Sequence, residues 1–116
     1  MKNMYNKIDC VIECTENEKH RFILALLFRL RLSTGQIVNL QVRDIRGNVL
    51  YSRGRRVYIP DSLMHEFYGY IEGKDQKSYI LYSNRNKKYS IRSIQEIRKS
   101  ALKRLMRLCK SQNSLL

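Results

Sequence analysis

Apolar residues recur every three or four positions in two long stretches of the chain, as they do on the buried face of a helix. The first stretch predicts a helix over about residues 16–32, beginning at a capping box formed by Thr15 and Glu18. The second predicts a helix from its N-cap residue Ser90 to about Lys110. The apolar stripe of this last helix is expected to consist of Ile94, Ile97, Ala101, Leu105 and Leu108.

Shorter patterns fill the stretch between these two helices. Ser33 and Gln36 form a second capping box, which predicts a short helix to about Leu40 and then a turn at residues 46–48. Three β-prone runs are expected to form strands, at residues 49–52, 56–59 and 78–83. The first two flank Arg53-Gly54-Arg55, a hairpin with a basic tip. A helix from Pro60 and Asp61 to about Glu72, closed by Gly73, is expected before the third run.

This order of elements predicts an α+β fold, in which helices pack with a small antiparallel hairpin or three-stranded sheet. The chain has 116 residues, of which 43% are hydrophobic, a size suited to one compact domain. We expect a single domain over residues 1–116. Within it, residues 1–14 are an N-terminal segment, 15–110 the core and 111–116 a flexible tail.

The charge of the chain changes this picture from a plain small domain to a binding protein. Twenty-three Lys and Arg residues against ten Asp and Glu give a net charge of +13, which favours a polyanionic partner. The longest apolar run, Phe22 to Phe28, is too short to span a bilayer, and no secretory leader pattern is visible. We therefore expect a cytoplasmic protein with no membrane partner.

The sequence offers little for small-molecule or metal chemistry. Cys10, Cys14 and Cys109 lack the second pair or nearby histidine that a metal site needs, so reduced thiols are expected. His20 and His65 are isolated, and neither is near an obvious nucleophile or ligand. No cofactor, metal or small-molecule substrate is predicted.

Two basic groups are the candidate contacts with a polyanionic partner such as DNA. The first surrounds the hairpin and consists of Arg43, Arg46, Arg53, Arg55 and Arg56. The second lies along the last helix and consists of Arg92, Ser93, Lys99, Lys103 and Arg107. Most of these cations would contact phosphate, so their contribution to affinity is largely independent of sequence and falls with salt. Arg92 and Ser93 are the candidates for reading bases, although a solvated first-turn arginine explains Arg92 equally well.

The segment from Leu32 to Ile45, L-S-T-G-Q-I-V-N-L-Q-V-R-D-I, resembles a motif of the tyrosine recombinase (phage integrase) family, roughly G-L-R-I-S-E-L-L-x-L-x-x-x-D-I. The ungapped match puts Ser33 at the family's catalytic arginine and Gln36 at its carboxylate. Thr34-Gly35 could instead match a family Thr-Gly, and the arginine is absent in either alignment. Losing both charges together avoids an unpaired buried carboxylate.

Further parts of this resemblance also imply an inactive protein. Arg53 stands where the family has a lysine that protonates the leaving hydroxyl, and an arginine is a poor proton donor. The stretch S-I-R-S-I from Ser90 resembles the start of a DNA-contacting helix, which implies base contact by Arg92. The family's H-x-x-R and tyrosine nucleophile are expected beyond the last helix. The resemblance thus implies the N-terminal half of the catalytic domain and no enzyme activity, unless those groups arrive in trans.

Together these patterns predict a non-catalytic, recombinase-like protein that occupies duplex DNA, as a regulator of transcription or an accessory factor of a phage or other mobile element. One alternative is an interaction module that pairs with a second copy or an integrase. Its expected surface is Leu102, Met106, Cys109, Leu115 and Leu116. Another is an RNA-binding protein that stacks bases on tyrosines, although core packing is the expected role of Tyr51, Tyr58, Tyr79 and Tyr82.

Overall fold

A computed structural model describes residues 2–83 and 85–114, with the side-chain surroundings of residues 7–83 and 85–109. The helices are α1 (Lys2–Glu13), α2 (Glu18–Phe28), α3 (Thr34–Val38), α4 (Asp61–Ile71) and α5 (Ile91–Ser114). The strands are β1 (Ile45–Arg46), β2 (Val49–Ser52) and β3 (Arg55–Tyr58), joined in one antiparallel sheet in the order β1-β2-β3. The predicted α+β fold with a small three-stranded sheet is confirmed.

The chain forms two compact units. Residues 2–31 and 92–114 contribute to the helical unit, which contains α1, α2 and α5. Residues 32–91 form the mixed unit, which contains α3, the sheet and α4. In the helical unit the buried side chains come from all three helices and include Ile12, Phe22, Leu26, Ile94 and Ala101.

Helix α1 was not predicted from the sequence, which indicated only an N-terminal segment there. Val11 and Ile12 are 3% and 1% exposed, and Ile8 lies one turn before them on the same side. This spacing is a helical signal, but the polar residues between the apolar ones made it weak. An ion pair between Asp9 and Arg29, 3.1 Å from Oδ1 to Nη2, links α1 to the end of α2.

The predicted capping box of Thr15 and Glu18 is wrong. Asn17 is the N-cap of α2, and its Oδ1 accepts a hydrogen bond of 3.1 Å from the His20 backbone N–H. Thr15 is buried, and its hydroxyl donates to the Val11 carbonyl over 2.8 Å. Thr15 therefore bonds back to the last turn of α1, in the i−4 pattern that threonine hydroxyls commonly adopt.

Helix α5 is longer than predicted, since it continues to Ser114 and not to about Lys110. Residues 111–114 of the expected flexible tail are helical, and residues 115–116 lie outside the described part of the chain. The apolar stripe is buried at Ile94, Ile97 and Ala101. Beyond Ala101 the stripe is less buried, with Leu105 half-buried and Leu108 40% exposed.

The sheet of the mixed unit is built from two tight turns. A two-residue turn at Gly47-Asn48 joins β1 to β2, and the positive φ of Gly47, 62°, gives it the type II′ form. A second turn at Arg53-Gly54 joins β2 to β3, with φ of 50° and 75°. Two positive φ values define the type I′ turn, whose twist matches that of a hairpin.

The predicted third strand at residues 78–83 is wrong, and β1 takes its place in the sheet. The 78–83 segment pairs instead with the chain after α3. Ile80 N–H donates to the Leu40 carbonyl over 2.9 Å, and Val42 N–H donates to the Ser78 carbonyl over 2.9 Å. Ile80 and Leu81 are 0% and 2% exposed, so their apolar character reflects burial and not sheet formation.

Candidate nucleic-acid interface

The first turn of α3 is fixed by the capping box that the sequence predicted. Ser33 Oγ accepts from the Gln36 backbone N–H over 3.1 Å, and Gln36 Oε1 accepts from the Ser33 N–H over 2.9 Å. The same Gln36 side chain donates through Nε2 to Ser52 Oγ over 3.1 Å. Ser52 is the last residue of β2, so one glutamine ties the start of α3 to the hairpin.

The tip of the hairpin lies against the same turn of α3. Arg53 Nη2 is 3.1 Å from the point where a Cβ atom on Gly35 would lie, so the guanidinium lies beside α3 and would have to shift by a few tenths of an ångström if that position carried a side chain. Arg53 also has a left-handed backbone, φ 50°, which costs a residue with a side chain about 1 kcal/mol. Ser33 and Arg53, at the two ends of these contacts, therefore belong to one local cluster.

The sheet presents a basic and aromatic surface, which we call the outer face: Arg46, Val49, Tyr51, Arg56 and Tyr58. These residues share one side because Tyr51 pairs with Arg56, Val49 pairs with Tyr58, and Arg46 pairs with Val49. Arg46 Cζ lies 5.2 Å from the centre of the Tyr51 ring, a cation–π contact. Leu50, on the opposite side, is fully buried.

The tyrosines of the outer face were expected to pack in the core, and that prediction is wrong. Tyr51 is 36% exposed and Tyr58 is 68% exposed. Tyr79 and Tyr82 are half-buried and meet edge to face, with ring centres 6.1 Å apart. Alternation along β2 and β3 explains the difference, because one side of a half-buried sheet must face solvent.

The remaining hairpin arginines are exposed as well. Arg43 lies in the 3-10 turn before β1, where its Nε donates to Gln41 Oε1 over 2.9 Å. Arg55 follows the tip and projects from the side of β3 opposite to Arg56. All five predicted hairpin arginines are thus exposed within the mixed unit, and the sequence from Ile45 to Pro60 contains no acidic residue.

Sequence reasoning did not single out Lys88, which belongs to the polar basic loop before α5. Lys88 Nζ donates to Asn39 Oδ1, just after α3, and lies 5.1 Å from the centre of the Tyr79 ring. The run Asn84 to Lys88 was recognisable as basic, but its contact with α3 depends on the turn of the chain around residue 86, where φ is 61°.

The second predicted group lies on α5, in the helical unit. Arg92, Ser93, Lys99, Lys103 and Arg107 are all exposed. Their spacing places the three cations Arg92, Lys99 and Lys103 on one side of the helix, and Arg107 at its edge. Glu96 is an exposed acidic residue on this side. The expected basic surface of the last helix is therefore exposed.

A groove of about 450 Å³ lies beside Arg107 in the helical unit. Its lining consists of Cys10, Val11, Cys14, Arg104, Arg107 and Leu108. Arg104 Nη2 donates to Thr15 Oγ1 over 3.1 Å, whereas its buried Nε has no hydrogen-bond partner among the described residues. All three cysteines are free thiols, and Cys10 and Cys14 are exposed.

The titratable side chains show two perturbed groups. Burial lowers the pKa of His20, and the neighbouring positive charge of Lys19 lowers it further. Burial raises the pKa of the Tyr89 phenol. Within the described residues, no three His, Cys, Asp or Glu side chains are close enough to share a metal ion. No helix in that part of the chain is long and apolar enough to cross a bilayer.

These features define a recombinase-like fold. The crystal structure of XerA recombinase is similar to this chain with a TM-score of 0.71 and 16% sequence identity, over 86% of this chain and 41% of that one. This similarity confirms the fold that the Leu32–Ile45 motif implied. The chain spans less than half the length of that recombinase. No protein-family model matches the sequence, and no curated protein matches it.

Proposed function

We propose that this protein is a non-catalytic, recombinase-like protein that occupies duplex DNA. The observation that carries the proposal is the hairpin tip, where the Arg53 guanidinium lies beside Gly35 and the neighbouring arginines are exposed. Exposed guanidinium groups can bind phosphate oxygens with two hydrogen bonds. The net charge of +13 supplies the long-range attraction to a polyanion.

The same residues support a role without catalysis. Ser33 is neutral and its hydroxyl is engaged as an N-cap, so it cannot neutralise the charge of a reacting phosphate as an arginine would. Arg53 carries a guanidinium, which is a poor general acid toward a leaving group. Tyr89 is buried and its pKa is raised, which disfavours the phenolate. These properties of Ser33, Arg53 and Tyr89 favour DNA binding over strand cleavage.

Occupying DNA would be enough for a biological effect. A protein bound at a promoter represses transcription, and one bound at a recombination site assists or blocks an integrase. We favour a regulator or accessory factor of a phage or other mobile element, acting on DNA in the cytoplasm. In this role the hairpin arginines bind phosphate groups. Arg92 and Ser93, in the first turn of α5, would contact the edges of the bases.

Duplex titrations at several salt concentrations test the binding proposal. Arg53→Ala and Arg55→Ala should each weaken every duplex alike and reduce the slope of log affinity against log salt by about 0.9. Arg98→Ala is the matched control, because Arg98 is exposed on α5 but is not among the proposed contacts. Wild-type affinity for duplex that is unmeasurable at low salt, or equal losses for all three variants, would overturn the proposal.

A separate assay tests the absence of catalysis. The protein is incubated with a suicide duplex in which cleavage traps a tyrosine-linked strand, and the products are resolved under denaturing conditions. We expect no covalent adduct, alone or with an integrase from the same genetic element. An adduct that maps to any of the eight tyrosines would overturn the non-catalytic assignment.

The exposed apolar part of α5 favours a second candidate function, as an interaction module. Met106 is 60% exposed, and Leu102 and Cys109, one turn away on the same side of the helix, are half-buried. The other predicted members of this surface, Leu115 and Leu116, lie outside the described residues. A dimer through α5, or a complex with an integrase, would cover these side chains. Sedimentation at increasing protein concentration tests the dimer, and Met106→Lys should return it to a monomer.

A further inference from the structure

The outer face of the sheet carries exposed tyrosine rings, which binding to the phosphates of a duplex does not require. Arg46, Tyr51, Arg56 and Tyr58 lie on one side of three paired strands, and aromatic rings alternate with guanidinium groups there. Tyr58 is 68% exposed, so most of its ring surface is available to a ligand. A phosphate contact would use the arginines and leave both rings without a role.

Rings and guanidinium planes together form the chemistry that binds unpaired bases. A base has a flat π surface whatever its identity, and it stacks on tyrosine rings and on arginine planes. The cation–π contact of Arg46 with Tyr51, 5.2 Å from the ring centre, keeps one such guanidinium on the outer face. Arg56, directly across from Tyr51, places a second positive charge where a strand's phosphates would pass.

The spacing of the two tyrosines suits an extended strand. Tyr51 and Tyr58 occupy diagonal positions on β2 and β3, and diagonal neighbours in a sheet are about 7–8 Å apart. This separation is about twice the 3.4 Å rise of stacked bases along one strand. A duplex cannot offer both bases in this way, because its bases are paired and stacked on one another. An unpaired strand can.

We propose that the outer face binds single-stranded DNA by stacking bases on Tyr58 and on the Arg46–Tyr51 pair. The site deepens the proposed function, on which it rests, because it lies one residue pair from the hairpin tip: Ser52 pairs with Arg55, and Tyr51 with Arg56 follows. Because Arg46 and Arg56, two of the proposed duplex contacts, lie on this face themselves, an unpaired strand leaving the bound duplex would reach it directly. This continuity favours DNA over RNA as the occupant.

Three variants separate stacking from other causes. Tyr58→Leu removes the ring, Tyr58→Phe keeps it, and Tyr68→Leu removes an exposed tyrosine of α4 that is not on the sheet. Each is titrated by anisotropy against a labelled oligothymidine of about 12 nucleotides, a blunt duplex and an oligouridine of equal length. Because these side chains are exposed, circular dichroism should show the same folded state for all three.

Tyr58→Leu should weaken oligothymidine binding by about 5- to 150-fold, the range for losing one stacked base. Tyr58→Phe and Tyr68→Leu should stay within about two-fold of wild type, and blunt-duplex affinity should not change. Tyr58→Phe as damaging as Tyr58→Leu, or Tyr68→Leu equally damaging, would overturn stacking at this face. Tighter binding of oligouridine than of oligothymidine would overturn the assignment to DNA.

The two proposals fail in different ways in this experiment. Duplex binding without ring-dependent oligothymidine binding overturns the single-strand site and leaves the proposed function standing. Ring-dependent oligothymidine binding without duplex binding overturns the proposed function and retains the outer face as a binding site. If wild type binds none of the three nucleic acids, both proposals are wrong.

Discussion

The guanidinium of Arg53 lies over Gly35, with Nη2 3.1 Å from the point that a Cβ atom on that glycine would occupy. Two sequence signals that are 18 positions apart, a helix start and a hairpin tip, meet at this contact. The glycine is not needed for its backbone conformation, because only Gly47, Gly54 and Gly73 among the described glycines have positive φ. Its missing side chain lets the guanidinium approach closer than a Cβ atom would allow without a small shift.

The Gly35→Ala variant should therefore show how the contact between Arg53 and Gly35 affects the free energy of unfolding. Alanine in a helix stabilises the fold by about 0.4–1 kcal/mol relative to glycine, but here its Cβ must displace Arg53. We expect a smaller gain in the free energy of unfolding for Gly35→Ala alone than in an Arg53→Ala background. Urea denaturation of the four proteins in this double-mutant cycle measures the difference.

Gly69 of α4 provides the control for that cycle. A Cβ atom on Gly69 would meet nothing within 4 Å, so Gly69→Ala should give the same gain in the wild-type protein and in the Arg53→Ala background. If Gly35→Ala behaves like Gly69→Ala, with equal gains in both backgrounds, the Arg53–Gly35 contact has no energetic weight.

The left-handed backbone of Arg53 leads to a second prediction. Asparagine before glycine is the preferred pair for a type I′ turn, whereas arginine is strained at its φ of 50°. Arg53→Asn should raise the free energy of unfolding by about 0.5–1 kcal/mol and still weaken duplex binding. Thermal denaturation and a duplex titration of one preparation measure both effects. A variant that is less stable than wild type would contradict the proposed strain at Arg53. A variant that binds duplex as tightly as wild type would contradict the proposed contact of Arg53 with DNA.

Local signals in the sequence predicted this part of the fold well. The Ser33–Gln36 capping box and the Arg53-Gly54 turn depend on neighbouring residues only, and both occur as expected. The contact of Arg53 with Gly35 and the hydrogen bond from Gln36 to Ser52 could not be read from periodicity, because they join separate elements.

The errors of prediction have physical causes too. Thr15 has the residue type of an N-cap, but its hydroxyl is used by the preceding helix, which the sequence signal was too weak to predict. The 78–83 segment has the composition of a strand because Ile80 and Leu81 at its centre are buried, and burial alone does not specify sheet pairing. Tyr58 was assigned to the core because tyrosine is often buried, yet the register of β3 turns it to solvent.

His20 should make stability depend on pH in a defined window. Folding lowers its pKa, mainly through burial and secondly through Lys19, so the unfolded chain binds a proton more readily than the folded one. Its contribution is complete above the ordinary pKa near 6.5 and is lost as the pH falls through the lower pKa of the folded state. Chemical denaturation at steps from neutral to acidic pH should show this decline, and His20→Gln should reduce it.

Lys19→Gln tests the cause of that shift. The variant should raise the pKa of His20, measured by NMR titration of the ring protons, because one positive neighbour is gone. The pKa should remain below 6.5, since burial is the larger cause. A wild-type pKa at or above the ordinary value would contradict the structural assignment of His20 as a partly buried side chain.

Arg92 and Lys103 lie on the same side of α5 and are both exposed, yet the proposed function gives them different roles. Under the proposed function Arg92, in the first turn, would contact a guanine edge with two hydrogen bonds, which discriminate between bases by about 1–3 kcal/mol. Lys103, three turns further along, would contact phosphate only.

A selection from a random library tests this difference. The Arg92→Ala variant should bind the duplexes that the wild-type protein enriched no more tightly than it binds unselected duplexes. Lys103→Ala should weaken both pools alike and lower the salt slope by about one. If both variants lose the same affinity for the selected and the unselected duplexes, α5 contacts only the DNA backbone. Any recognition of bases would then have to come from the hairpin.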